Sequence, residues 1–287
     1  MQIILAEALG MCFGVRDALQ VIEEIGRPEA VTIHGELVHN EVVLHQLRAR
    51  GFGSVTEEDR RAVPATPAVL VTAHGISDRE RRRLEAAGKQ LLDTTCPLVA
   101  RAHDAAQKLQ RDGYHVLVIG RRGHVEVQGL IEDLTSFELV QRPEEVKTYA
   151  FSKLGIMCQT TTPARLVQAV RAEVARLNPG SEIRFIDTVC QPTKERQTAL
   201  DRLLEQVEVV VVVGGSHSNN TRELAARCRE RGVPAYPVRT ADDLRPEWFA
   251  GLHTVGLTAG TSTPDHTIAQ VHQALLRIGA AEPQRAV

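Results

Sequence analysis

"LLDTTCPLVARAHDAAQKLQRDGYHVLVIGRRGHVEVQGL" (residues 91–130) returns, altered but in step, as "FIDTVCQPTKERQTALDRLLEQVEVVVVVGGSHSNNTREL" (residues 185–224). Each copy writes Asp-Thr-x-Cys, a stretch of helical periodicity, an apolar strand ending in Gly, and a polar loop. Aligned on Cys96 and Cys190, His124 and Ser218 stand at the same offset downstream. A third copy, "GMCFGVRDALQVIEEIGRPEAVTIHGELVHNEVVLHQL" (residues 10–47), starts from Cys12 and reaches His39 one position short of that offset. Cysteines at positions 12, 96 and 190, at nearly even intervals, therefore mark one supersecondary unit used three times.

Each copy runs on into a second strand with a small polar end: "VLVTAHGIS", "LGIMCQTTTP" and "TVGLTAGTSTP". Spacing makes His74, Thr160 and Ser262 the equivalent positions beyond His39, His124 and Ser218. The third of these intervals is the longest, because that unit carries extra length around "VPAYPVRTADDLRPEWFAG" (residues 233–251).

Apolar residues fall on one helical face after every cysteine: Val15, Ala18, Leu19 and Ile22; Leu98, Ala102, Ala105 and Leu109; Leu200, Leu203, Leu204 and Val207. Pro97 and Pro192 suit a helix start, and "HVLVIG" and "VEVVVVVGG" have the β-branched character of buried parallel strands. Alternating β and α segments predict an α/β protein of three similar lobes in pseudo-threefold arrangement. The expected boundaries are 13–91, 92–186 and 187–276, the last joined by an N-terminal strand in 1–12, with 277–287 as a C-terminal tail. Ligands of open α/β sheets sit beyond the carboxyl ends of the strands, where all these polar residues lie. The motif repeats, on this reading, because one central site is assembled from three sides.

Composition narrows the function. The chain has 287 residues, 43% of them hydrophobic, and a net charge of only -2, so no broad nucleic-acid or anionic-membrane surface is expected. Its most apolar stretch, Val207 to Val213, is far shorter than the roughly 20 residues of a membrane helix, and "MQIILAEALGM" has no signal-peptide pattern. A cytoplasmic location is expected. Five cysteines make no dense disulfide framework, which turns attention to metal or redox chemistry.

Three thiolates, one per lobe and each before a helix, suit a soft metal centre. Zinc usually takes paired cysteines and a fourth ligand, a poor match for this spacing. A [4Fe-4S] cluster held by three cysteines would leave one iron open. His39, His74, His124, Ser218, Asn220 and Ser262 are short hydrogen-bond donors suited to a diphosphate. Glu126 in "GHVEVQG" is a carboxylate among them and a candidate proton source. Cys158 and Cys228, off-register, read as packing residues, and His34, His45, His103, His115, His253 and His266 as surface or structural ones.

These motifs resemble the 4-hydroxy-3-methylbut-2-enyl diphosphate reductase (LytB) family. The likeness runs from Met1 to about residue 276 and rests on "GMCFGV", "ELVHN", "TAHG", "DTTCPLV", "GHVEVQG", "QTT", "DTVCQPT", "GGSHSNN" and "LTAGTSTPD". The resemblance implies a [4Fe-4S] cluster on Cys12, Cys96 and Cys190, whose open iron takes the substrate's hydroxyl. Two electrons from a ferredoxin- or flavodoxin-type donor and two protons then release water, giving isopentenyl and dimethylallyl diphosphate. It implies Glu126 as proton relay, Thr160 as its partner, and His124 in proton delivery. His39, His74, His124, Thr160, Ser218, Asn219, Asn220 and Ser262 would hold the allylic diphosphate, and Thr193 would support the site from behind. The chain departs from the family's usual pattern at Val125, Gln128, Cys158, Pro192 and Asn219. Those departures leave a diverged paralogue acting on a related allylic diphosphate as an alternative. A non-catalytic iron-sulfur electron carrier or sensor is the other, although such a protein needs neither Glu126 nor a diphosphate ring.

Overall fold

Five consecutive valines, Val209–Val213, form a strand in which every residue is buried. β-branched side chains suit the pleated backbone, and burial on both faces is what a parallel strand between helices requires. The computed structural model describes residues 1–56 and 59–281, and over them that pattern recurs in three four-stranded parallel sheets.

The chain opens with β1 (Gln2–Leu5) and α1 (Phe13–Glu23). The first lobe follows as β2 (Val31–His34), α2 (Glu41–Ala49), β3 (Gly53–Val55), β4 (Ala68–Val71), α3 (Asp78–Ala86) and β5 (Gln90–Asp93), with strand order β3-β2-β4-β5. The second runs α4 (Pro97–Arg111), β6 (His115–Ile119), α5 (Val125–Glu132), β7 (Phe137–Val140), β8 (Lys153–Cys158), α6 (Ala164–Leu177) and β9 (Glu182–Phe185), order β7-β6-β8-β9. The third contains α7 (Gln191–Leu204), β10 (Val209–Val213), α8 (Asn219–Glu230), β11 (Ala235–Val238), β12 (Thr254–Ala259) and α9 (Asp265–Ala281). Its sheet, β1-β12-β10-β11, takes its edge strand from the N-terminus, with Gln2 in register with Thr254.

The described chain divides into two compact units. One comprises Met1–Val15, Val38–Gln46 and the chain from Pro192 onward; the other comprises Arg16–Leu37 and Leu47–Gln191. The third sheet lies in the former and the first two in the latter.

The helical faces expected from spacing are seated as apolar stripes, with one shift. In α4 the buried positions are Val99, Ala102, Ala105, Ala106 and Leu109, so Val99 rather than Leu98 leads the stripe. Val207, expected on the α7 face, lies beyond the helix end and is buried at the entry to β10. Of the expected tail, residues 277–281 continue α9, while 282–287 lie outside the described residues. No helix among the described residues is long and apolar enough to cross a membrane.

Candidate active site

The Asp-Thr-x-Cys motif is a corner with a mechanism. Asp93 Oδ1 accepts the N–H of Thr95 at 2.9 Å, and Asp187 Oδ1 accepts that of Val189 at 3.1 Å, an Asx turn that ends the strand. The intervening threonine reaches sideways: Thr94 Oγ1 donates to the Val71 carbonyl at 2.6 Å and Thr188 Oγ1 to the Cys158 carbonyl at 2.5 Å. Each corner is thereby pinned to the end of the neighbouring strand, and the cysteine follows. The cysteine amides donate in kind, Cys12 to Thr261, Cys96 to Ala73 and Cys190 to Thr160, at 3.0, 3.1 and 2.9 Å. All three are half-buried cysteines at helix starts, outside any disulfide, whereas Cys158 and Cys228 are buried in apolar clusters. Burial pushes the Cys228 thiol up to about 12.

The polar loop of each lobe caps the next helix. His124 Nδ1 accepts the Glu126 N–H at 3.2 Å to cap α5, and Ser218 Oγ accepts the Thr221 N–H at 3.3 Å to cap α8. In the first lobe the cap is Asn40, whose Oδ1 accepts from Val42 and Val43 at 3.1 and 3.3 Å. Asn40 stands at the same offset from Cys12 as His124 from Cys96 and Ser218 from Cys190, so the repeat is kept in all three lobes and His39 sits one position before its register. These caps satisfy orphan amides at helix N-termini, leaving neighbouring N–H groups directed at the loop.

The second set of loops corrects one equivalence. Matching turns join Gly75 to Thr72, Thr162 to Gln159 and Thr263 to Gly260, which puts Thr161, not Thr160, in register with His74 and Ser262. Thr160 has a different task. Its N–H donates to Glu126 Oε1 at 2.6 Å and its hydroxyl to Oε2 at 3.0 Å. Glu126, 2% exposed, lies in the first turn of α5. The His74 and His124 rings meet edge to face with centroids 5.6 Å apart. One unit thus holds His74, His124, Glu126 and Thr160, together with Cys96 and Cys190.

The other unit holds Cys12, His39, Ser218, Asn219, Asn220 and Ser262. Ser262 Oγ donates to the His39 carbonyl at 3.3 Å, and Asn220 Oδ1 accepts the Thr261 N–H at 3.2 Å. Glu41 accepts both the N–H and the hydroxyl of Ser216 through Oε1, at 3.0 and 2.5 Å. Burial alone would raise this carboxyl, but the Ser216 bonds and nearby His217 outweigh it and hold it below the usual range. Gly215 lies against this loop so tightly that a Cβ would meet the His39 carbonyl oxygen at 2.2 Å. Three loops are knitted together around the expected diphosphate donors.

The likeness to known proteins runs along nearly the whole chain. The family model described as LytB protein matches residues 3–276. The chain belongs to the LytB family. It is 37% identical to the 4-hydroxy-3-methylbut-2-enyl diphosphate reductase of Methylibium petroleiphilum over 99% of this chain and 87% of that one. The reductase of the same name from Aquifex aeolicus is 33% identical, covering 96% of each chain. A solved reductase structure from Plasmodium falciparum superposes with a TM-score of 0.86 at 27% identity, over 98% of this chain and 88% of that one. The fold and the enzyme class, a reductase with three α/β lobes, follow from this LytB membership.

Within this LytB chain the departures fall as follows. Val125 opens α5 and is buried, Gln128 on the same helix is exposed, and Asn219 opens α8. Cys158 ends β8, with its N–H bonded to Thr188 Oγ1 at 2.8 Å. Pro192 sits in the first turn of α7, where its missing N–H has no helical acceptor to lose. Spacing alone missed Asn40, Glu41 and Arg196. Asn40 was legible in the "VHN" cap pattern before an apolar run. Arg196, 6% exposed, donates to the Gly10 carbonyl at 2.6 and 3.1 Å and braces the loop before Cys12 from the far side of the sequence, a contact no local pattern reveals.

Proposed function

We propose that this LytB protein removes the hydroxyl of 4-hydroxy-3-methylbut-2-enyl diphosphate by two-electron, two-proton reduction, yielding isopentenyl and dimethylallyl diphosphate and water. The observation that carries the reading is Glu126: a buried carboxylate oriented by two bonds from Thr160, two positions past a histidine of the diphosphate set.

The donor set fits an iron-sulfur cluster. Three half-buried cysteines outside any disulfide recur at one structural position, and soft thiolates at helix starts match iron-sulfur chemistry. Among the described residues no three His, Cys, Asp or Glu side chains stand close enough to share a single metal ion. A cluster makes no such demand, because its cysteines bind separate irons. Cys12, Cys96 and Cys190 would hold it, and when bound it supplies the two electrons and a Lewis-acidic iron at the reacting carbon's oxygen. A ferredoxin- or flavodoxin-type donor would refill it, in a reducing cytoplasm where these thiols stay free.

The chain's own residues supply the rest. His39, His74, Ser218, Asn219, Asn220 and Ser262, with the amides of the capped helix starts, would grip the diphosphate. A hydroxyl leaves poorly unless protonated, and Glu126 carries the proton to the leaving oxygen while Thr160 fixes the plane of its carboxyl. His124 would restore that proton. The carbon–oxygen bond breaks, water departs, and the second proton is taken up by the allylic carbon framework.

Anaerobic turnover of the cluster-loaded protein with this substrate and an artificial reductant tests the reading. Glu126→Gln keeps shape and hydrogen bonding but not the acid. It is expected to bind substrate and perturb the cluster's spectrum while turnover falls about 10² or more. Near-wild-type turnover in that variant would move the proton source elsewhere. A wild type that binds but never reduces the substrate would favour a paralogue's allylic diphosphate instead.

A further inference from the structure

The extra length of the third repeat plays no part in the proposed reaction, yet it builds a cavity. Residues 233–251 form β11 and two short 3-10 turns, Ala241–Asp243 and Pro246–Phe249. Facing α8, they border an open groove of 460 Å³ beside the carboxyl ends of β10 and β11, with Gly214 to Ser216 in the lining. Such ends are where open parallel sheets bind ligands. Four guanidiniums line it: Arg222 and Arg229 from α8, Arg239 and Arg245 from the insertion. Asp243 is the single carboxylate in that lining, and Arg239 already holds it at 3.1 and 3.2 Å. Arg222 donates to the His217 carbonyl at 3.0 Å, and Arg245 lies 5.8 Å from the Trp248 ring centroid. Among the described residues, Arg222, Arg229 and Arg245 have no carboxylate partner.

The fold does not require that charge, because the same protein contains its own comparison. The second lobe has a cavity of 690 Å³ whose lining includes Arg122, Gln128 and Ile131, the cysteine-aligned counterparts of Ser216, Arg222 and Ala225. There the charged groups are one arginine and two glutamates, Glu138 and Glu145. Arg222, Arg229 and Arg245 are exposed, so water screens them from one another and leaves their guanidiniums accessible to an anion. In the second lobe Glu138 and Glu145 are paired with Lys147 and Arg142 at 2.8 and 3.4 Å, whereas the third lobe gathers three arginines that have no carboxylate partner among the described residues, so its excess charge answers to something outside the fold. Trp248, stacked on Tyr236 at 4.2 Å and 10°, adds a rigid flat wall.

We propose that this groove binds a small phosphate or diphosphate ester with a flat or unsaturated body, the phosphates on Arg222, Arg229 and Arg245 and the body against Trp248. Guanidiniums recognise phosphate through paired charge-assisted bonds, and aromatic faces take planar groups. The volume lies in the range of small-molecule sites, roughly 300 to 1,000 Å³, which a protein partner would not need. The site stands independently of the reaction proposed above.

Trp248 is the only tryptophan in the sequence, so its fluorescence reads this groove. The holo-protein is titrated separately with inorganic diphosphate, ADP and isopentenyl diphosphate, the last two separating a nucleotide from a prenyl source. A saturable fluorescence change is expected with at least one ester, its affinity weakened about tenfold or more in Arg229→Ala and in Arg245→Ala. It should persist in His39→Ala, which separates it from the diphosphate site of the proposed reaction. Unfolding midpoints of the variants check that they fold. No saturable change with any of the three anions at millimolar concentration overturns the proposal. So does a change that survives both arginine substitutions, or one that disappears in His39→Ala.

Discussion

At the scale of single residues, chemistry and packing were legible to different degrees. Glu126 could be singled out because a carboxylate inside a donor-rich motif has few structural excuses, and its bonds to Thr160 are local to two adjoining strand ends. The register slip between Thr160 and Thr161 could not be seen, because "TTT" offers three identical side chains and only the Thr162-to-Gln159 turn distinguishes them. Gly215 was equally silent. A methyl there would strike backbone, the His39 carbonyl oxygen at 2.2 Å and the Asn40 Cα at 2.9 Å, and backbone cannot swing aside as a flexible side chain does. Gly215→Ala is therefore expected to cost about 1 to 3 kcal/mol of unfolding free energy and to raise KM for a diphosphate substrate more than it lowers kcat. Denaturant unfolding and steady-state kinetics on the same preparation check both, and an unchanged KM would separate this loop from substrate binding.

At the scale of elements, the helices and strands follow from periodicity, while their attachments do not. Helix α3 is highly charged, with Leu84 its buried apolar residue, so apolar burial holds it weakly. It is anchored instead by polar contacts: Ser77, its N-cap, donates to Glu132 at 2.5 Å, and Glu80 meets the buried His34 at the end of β2 at 2.9 Å. Burial by itself would raise the Glu80 carboxyl, but the Arg83 and His34 bonds prevail and bring it from 4.5 down to about 2. A folded-state value below the unfolded one means that the unfolded chain takes the proton first. The stabilisation is complete above about pH 4.5 and is lost as pH falls towards 2. Because the carboxylate is partly solvated, its worth is about 1 kcal/mol. Glu80→Gln should lose that amount at pH 7, and the gap to wild type should close between pH 4.5 and 2 in urea unfolding. A gap independent of pH would make the contribution steric.

For the whole molecule, the threefold repeat sorts the cysteines. Cys12, Cys96 and Cys190 occupy one repeated corner with half-buried thiols, and Cys158 and Cys228 are sealed in apolar clusters. Replacing any of the first three with Ser is expected to abolish iron and acid-labile sulfide in anaerobically purified protein, whereas Ser at 158 or 228 leaves the cluster content intact at some cost in stability. Iron and sulfide assays with cluster absorbance check this. Stoichiometric zinc without sulfide in the wild type would contradict it.

The amino-acid sequence alone determined the α/β class, the three lobes, the cysteine corners and the polar loops after the strands. These depend on the alternation of strands, on the helical repeat and on short-range turn chemistry, all written close to where they act. The tertiary structure decided what depends on distant segments meeting. Arg196 braces the loop before Cys12, and Glu41 clamps Ser216. It also decided that the third repeat's insertion closes over α8 to gather arginines from two elements. Such meetings leave no local periodicity, because the free energy that selects them is released only when the chain has already folded.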